Sequence, residues 1–245
     1  MMKTCVLIPA RYNSSRYPGK PLVPLLGKPM VIWVCELSAK AVGSSNVYVA
    51  TDSDEIKRVV ELHGFNSIMT SDEHLTGTDR IAEAAKYLDY DIIVNVQGDE
   101  PMVNPKDIQN AIKEKYKKPD SVINCFCCIN DQSSIQSKNV PKLVTNGDGK
   151  LLYISRSEIP GHKDKAKRPK QVKKQVCIYV FNKKQLELFN GYGKKSNLEE
   201  IEDIEILRFF ELSIDVQMIE TMSGSLAVDT PEDVNHVENE LRIKL

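Results

Sequence analysis

Cys5–Leu22 reads CVLIPARYNSSRYPGKPL, an apolar run that passes straight into a long polar loop. The loop holds Arg11, Arg16 and Lys20, with Ser14, Ser15 and Gly19 between them. A helix-like run, PMVIWVCELSAKAV, begins only after Gly27. The order is therefore strand, basic loop, helix. In an open α/β sheet, ligands bind outside the carboxyl ends of the strands. Three cations among small residues at that position suit a polyphosphate, which backbone N–H groups and side-chain cations approach together. The loop carries neither GxxxxGK[ST] nor GxGxxG, so it is not a Walker-type or dinucleotide-binding loop.

Working outward, the first half repeats this unit. NVYVATDSD reads as a second strand ending in carboxylates, and DEIKRVVELHG as a helix with a glycine stop. SIMT is a short strand. SDEHLTGTDR is a loop with Thr78 or Asp79 as helix cap, followed by the helix RIAEAAKYL. DIIVNVQGDE is a buried strand ending at Gly98, Asp99 and Glu100, and PKDIQNAIKEKYKK an amphipathic helix. Repeated strand, loop and helix predict an α/β fold: a mostly parallel sheet with helices on both faces. The second half is richer in strands: VINCFCCI, PKLVTNGDGKLLYISRS with a turn at Asn146–Gly149, and VCIYVFN. The basic stretch GHKDKAKRPKQVKK has no period and reads as an exposed arm. NLEEIEDIEILRFFEL reads as one helix with Ile201, Ile204 and Leu207 on a face. DVQMIET is a strand, and TPEDVNHVENELRIKL a capped final helix. Without repeat or linker, residues 1–245 are expected to form a single unit.

Composition narrows the function. Hydrophobic residues make up 41% and charged residues 27% of 245, as in soluble globular chains. A net charge of −1 gives no general attraction to nucleic acid or anionic membranes. No apolar stretch is long enough to span a bilayer. The start, MMKTCVLIPARYN, is too short in its apolar run for a signal peptide, and Arg11 interrupts it, so a cytoplasmic location is expected. Among the six cysteines only Cys125 and Cys128 have CxxC spacing, within the apolar strand-like run VINCFCCI, and the four histidines are scattered, so buried thiols in a reducing compartment are expected rather than a zinc site.

Asp99 follows one strand, and Asp229 follows SGSLAV before a helix. On the same rim as the basic loop, two such carboxylates would make a magnesium site, completed by water and phosphate oxygens. Equally, Asp99 suits a turn and Asp229 a helix N-cap.

Several segments, in order along nearly the whole chain, resemble the 3-deoxy-manno-octulosonate (Kdo) cytidylyltransferase, or CMP-Kdo synthetase, family. RYNSSRYPGKPL resembles its CTP-phosphate loop. VNVQGDEP (Val94–Pro101) and VDTPED (Val228–Asp233) resemble its two metal motifs, which implies Asp99 and Asp229 as ligands of Mg²⁺. TGTDRIAE (Thr76–Glu83) resembles the segment near the base and sugar of the nucleotide, and VATD (Val49–Asp52) a further strand end at the site. LYISRSEIP (Leu152–Pro160) resembles the segment with a sugar-contacting arginine, here Arg156. The chain departs from the family at Gln175, where a histidine is usual, at Cys177, where glycine is usual, and at Ile206, where the family has a sugar-facing glutamine.

The resemblance implies a nucleotidyltransferase-type, Rossmann-like fold with a strand-rich arm around residues 151–182 that joins a homodimer. It implies transfer of CMP from CTP to the anomeric hydroxyl of a 3-deoxy-sugar acid, most simply Kdo, with release of pyrophosphate. An amino-Kdo, a nonulosonate or a non-sugar acid are alternative acceptors, and a non-catalytic nucleotide-binding protein is the alternative outside enzymes. It assigns Arg11, Arg16, Lys20 and Asp99 to catalysis. It assigns Arg11, Ser14, Arg16, Lys20, Thr78, Asp79, Arg80 and Gln97 to the nucleotide. Arg156, Gln175, Tyr179 and Glu205 go to the acceptor, with Glu205 alternatively paired to Arg208 three residues on. No nucleic acid or membrane partner is expected.

Overall fold

In the computed structural model, which describes residues 2–13, 17–222, 226–228 and 230–244, Thr4–Ala10 forms the first strand, β1. Its side chains alternate between two cores: Val6, Ile8 and Ala10 pack on one face of the sheet, Cys5 and Leu7 on the other. A small hairpin follows, β2 (Pro24–Leu25) and β3 (Lys28–Pro29), and leads into α1 (Met30–Val42). Then come β4 (Val47–Thr51), α2 (Asp54–Leu62), β5 (Asn66–Met69), α3 (Gly77–Ala85), β6 (Ile92–Val96) and α4 (Pro105–Lys117). The second half comprises β7 (Val122–Ile129), α5 (Gln132–Gln136), β8 (Lys142–Thr145), β9 (Leu151–Ser155), β10 (Val172–Asn182), α6 (Lys183–Gly191), α7 (Asn197–Glu202), α8 (Arg208–Glu211), β11 (Val216–Glu220) and α9 (Pro231–Lys244).

The main sheet runs β11-β7-β10-β6-β1-β4-β5. β1 pairs in parallel with both β4 and β6, β4 with β5, and β11 with β7. β10 is antiparallel to β6 and β7, which makes the sheet mixed. α1, α2 and α4 cover one face, and α3 and α6 the other. The expected mostly parallel sheet with helices on both faces is therefore present. β8 and β9 extend this sheet sideways by pairing with β10 and each other, across the expected turn at 146–149.

Three local expectations are corrected. The cap of α3 is Thr76, whose hydroxyl accepts from the Asp79 N–H, not Thr78 or Asp79, which lie within the helix. The helix expected over 197–212 is broken: α7 ends at Asp203 in a left-handed conformation, a 3-10 turn spans Glu205–Leu207, and α8 follows. Ile201 is consequently exposed while Ile204 and Leu207 are buried. The basic stretch is exposed over 161–164 but holds a short 3-10 turn, and β10 begins within it at Val172. β7 is buried as expected up to Cys127, with Cys128 exposed and Ile129 half-buried, and all six thiols are free. Among the described residues, no helix is long and apolar enough to cross a membrane.

Candidate active site

The chain leaves β1 toward β4 on one side and later returns to β6 on the other, so a crevice opens between the ends of β1 and β6. This is where ligands of such sheets bind. The two strand ends meet closely because residue 98 has no side chain. A Cβ on Gly98 would lie 2.9 Å from the Pro9 carbonyl oxygen. Gly77, at the start of α3, packs almost as tightly on Gln97 and Pro9. Three segments thus converge on a cavity of about 670 Å³.

The basic loop contributes two cations to the lining, Arg11 and Lys20, from its opposite ends. The loop closes where the Gly19 N–H, at a φ of 69°, donates to the Tyr12 carbonyl at 2.9 Å. Only a residue without Cβ takes that conformation at no steric cost. Asp52, at the end of β4, accepts from the Tyr12 N–H at 3.4 Å and from Arg80 Nη2 at 2.7 Å, which ties the loop to α3. Lys20 Nζ lies 2.7 Å from Asp99 Oδ2. Ser14, Arg16 and Asp229 lie outside the described residues.

The Asp99 carboxylate is 27% exposed at the cavity wall. Hard, partly hydrated carboxylate oxygens are the donors Mg²⁺ takes, so Asp99 fits that ion. Val228, the residue before Asp229 in the chain, donates its N–H to the Asp99 carbonyl at 3.0 Å. α9 starts at Pro231, so Thr230 occupies the flanking cap position and donates its N–H to Asp233 at 2.8 Å. The cap and metal readings of Asp229 both fall on a residue outside those described.

Much of the remaining lining comes from the second half of the chain. Gln175, Cys177 and Tyr179 line the cavity from one face of β10, and Arg156 from the end of β9. Arg156 is held by the carbonyls of Glu202, Asp203 and Lys138 and lies 3.8 Å from the Asp203 carboxylate, which fixes its guanidinium. Gln175 Nε2 donates to Asn124 Oδ1 at 2.9 Å, so this amide is directed into the sheet. Burial drives the Cys177 thiol and Tyr179 phenol upward in pKa, and the Asp99, Glu100 and Glu205 carboxylates near Cys177 add to its shift. Both are neutral at physiological pH.

Glu205 lines the cavity but does not pair with Arg208. Its carboxylate accepts from the Gly77 and Thr78 N–H groups at 3.1 and 2.9 Å, capping α3. Burial raises its pKa despite these bonds. Arg208 turns the other way, into the core. It donates to Asp79 at 2.7 and 3.2 Å and to Glu199 at 2.7 and 2.6 Å, over the Phe189 ring. The lining contains neither Thr78 nor Asp79. Thr78 is buried with its hydroxyl toward Asn95, and Asp79 is spent on Arg208. Ile206 is 1% exposed in the core beside Leu207 and Phe209 and is absent from the cavity lining.

Sequence reasoning missed His74, which lines the cavity and bonds Glu83 through Nε2. Burial acts to raise the Glu83 pKa, but His74 and the Ser71 N–H outweigh it and hold the carboxyl below its ordinary 4.5. It also missed the Arg208 network; an arginine inside the apolar run ILRFF was the available signal. Among the described residues no cluster of three or more His, Cys, Asp or Glu side chains is present.

The sequence profile described as Cytidylyltransferase matches residues 5–216. The 3-deoxy-manno-octulosonate cytidylyltransferase 2 of Hydrogenovibrio crunogenus is 43% identical over 247 residues, covering 97% of each chain. The 8-amino-3,8-dideoxy-manno-octulosonate cytidylyltransferase of Shewanella baltica is 37% identical, covering 99% of this chain and 100% of its own. A solved structure of a CMP:2-keto-3-deoxy-manno-octonic acid synthetase complexed with CTP superposes with a TM-score of 0.91 at 33% identity, covering 99% of this chain and 100% of that one.

Proposed function

The chain belongs to the cytidylyltransferase family, and we propose that it transfers CMP from CTP to the anomeric hydroxyl of a 3-deoxy-sugar acid, Kdo first, releasing pyrophosphate. The observation that carries this is one cavity lined both by Arg11, Lys20 and Asp99 and by the anchored Arg156. The first group suits a triphosphate and Arg156 an acidic sugar. The hydroxyl oxygen attacks the α-phosphorus, the bond to the bridging oxygen breaks, and pyrophosphate leaves. Such a step is accelerated chiefly by positioning the reactants and by neutralising developing charge. Arg11 and Lys20, with Arg16, would meet the phosphate charge. Arg156, oriented by three carbonyls, would receive the acceptor's carboxylate. Glu205 fixes the start of α3 and so the Arg80 side of the nucleotide cleft. Asp99 with Asp229 would hold Mg²⁺, which when bound supplies further positive charge at the phosphates.

A second acceptor, an 8-amino-Kdo, is favoured by one finding: relatives of nearly full coverage bear that name. Kdo, 8-amino-Kdo and a sialic acid, each assayed with CTP and Mg²⁺ for pyrophosphate release, test both readings. No release with any of them refutes the proposal. We place the reaction in the cytoplasm, where CTP is made, and the chain in a homodimer. Leu152, on the sheet extension, is 56% exposed and supports the latter. Light scattering after size exclusion tests it.

A further inference from the structure

Two side chains assigned to different partners hold each other. Lys20 closes the phosphate loop and Asp99 ends the motif after β6, yet Nζ and Oδ2 lie 2.7 Å apart. The pair joins residues 79 apart in the chain, and both line the cavity. Its side chains are only 14% and 27% exposed, so water and salt screen it less than a surface pair. Backbone fixes both ends. Gly19 and a 3-10 turn over Lys20–Leu22 set Lys20, while Gly98 against Pro9 and the Val228 N–H set Asp99.

An oxygen that accepts an ammonium at this distance does not offer the same lone pair to a divalent ion. The ammonium also repels such an ion directly. A triphosphate offers Lys20 a second anion and so draws it away. We infer that Lys20 is an internal counter-ion for Asp99, which yields the carboxylate to a divalent cation only when nucleotide phosphate takes the ammonium. Metal and nucleotide then bind as one unit, and by linkage each strengthens the other equally. This inference rests on the reading of Asp99 as a metal ligand.

Mn²⁺ is the probe, followed by water-proton relaxation with and without CTP, with the Mn²⁺–CTP background subtracted. Lys20→Met should bind Mn²⁺ without nucleotide about tenfold or more tightly than the unmodified protein, since a unit charge beside a divalent ion costs at least that even in water. Lys20→Arg keeps the charge and should bind Mn²⁺ alone as weakly as the unmodified protein. Lys20→Met with Asp99→Asn should lose the gain. Lys20→Gln replaces Lys20→Met if the latter does not fold. A merely structural ion pair predicts lower stability for Lys20→Met and unchanged Mn²⁺ affinity; that result overturns the inference while leaving Asp99 a ligand, provided the unmodified protein with CTP binds Mn²⁺ in an Asp99-dependent way. If that Asp99-dependent binding is absent, the ligand reading falls and the inference with it. A gain that survives Asp99→Asn places the metal elsewhere and also overturns it.

Discussion

Gly98→Ala is the smallest change that should disturb the site without altering any polar side chain in it. The added Cβ would meet the Pro9 carbonyl oxygen at 2.9 Å, where ordinary contact begins at 3.4 Å. Pro9 is paired to β4 within the sheet and cannot yield cheaply. The ends of β1 and β6 must therefore separate by about half an ångström, which should cost roughly 1–3 kcal/mol of stability as overpacking does. Asp99 is the next residue and moves with the strain. A displacement of about 1 Å costs about a hundredfold in rate, so half of that should lower kcat about tenfold. Gly147→Ala is the control, because nothing lies within 4 Å of its Cβ position. Steady-state kinetics and urea unfolding of both variants measure the difference. A Gly98→Ala protein with kcat within about twofold of the unmodified enzyme would refute the close approach as the device that positions Asp99.

Asp99→Asn should nearly abolish turnover and flatten the dependence of rate on Mg²⁺, with circular dichroism unchanged; normal activity would remove Asp99 from the metal site. Arg208→Met should cost about 3–5 kcal/mol, because Asp79 and Glu199 are left buried without their cation. A loss below about 1 kcal/mol in urea titrations at pH 7 would contradict this. Glu83→Gln should cost about 1–2 kcal/mol at pH 7. Because the Glu83 carboxyl titrates below 4.5 in the fold, that contribution is present above 4.5 and should disappear as pH falls through the lower, folded value. Thermal melts between pH 3 and 7 test it, and a constant deficit would mean that the His74 contact is not ionic.

Much of the architecture could be read locally. CVLIPA and DIIVNVQ are apolar runs flanked by glycine and charge, and both became buried parallel strands at the centre of the sheet. The basic loop, the glycines at 19 and 98 and the carboxylate at 99 could be placed at strand ends because the alternation of strand, loop and helix forces loops to one rim. What the sequence determined by itself was this order of elements and the chemistry gathered on that rim.

Which partner each buried charge takes was decided only by the tertiary structure. Glu205 and Arg208 are neighbours on a continuous helix, but the left-handed turn at Asp203 and the 3-10 turn after it rotate them apart. Arg208 then finds Asp79, 129 residues away, and Glu205 finds the start of α3. The same break carries Ile206 inward to the core and leaves Glu205 at the cavity wall. A charge withdrawn from water must be matched by whichever opposite charge or dipole packing brings within reach. Spacing along the chain specifies that partner only where the helix remains unbroken.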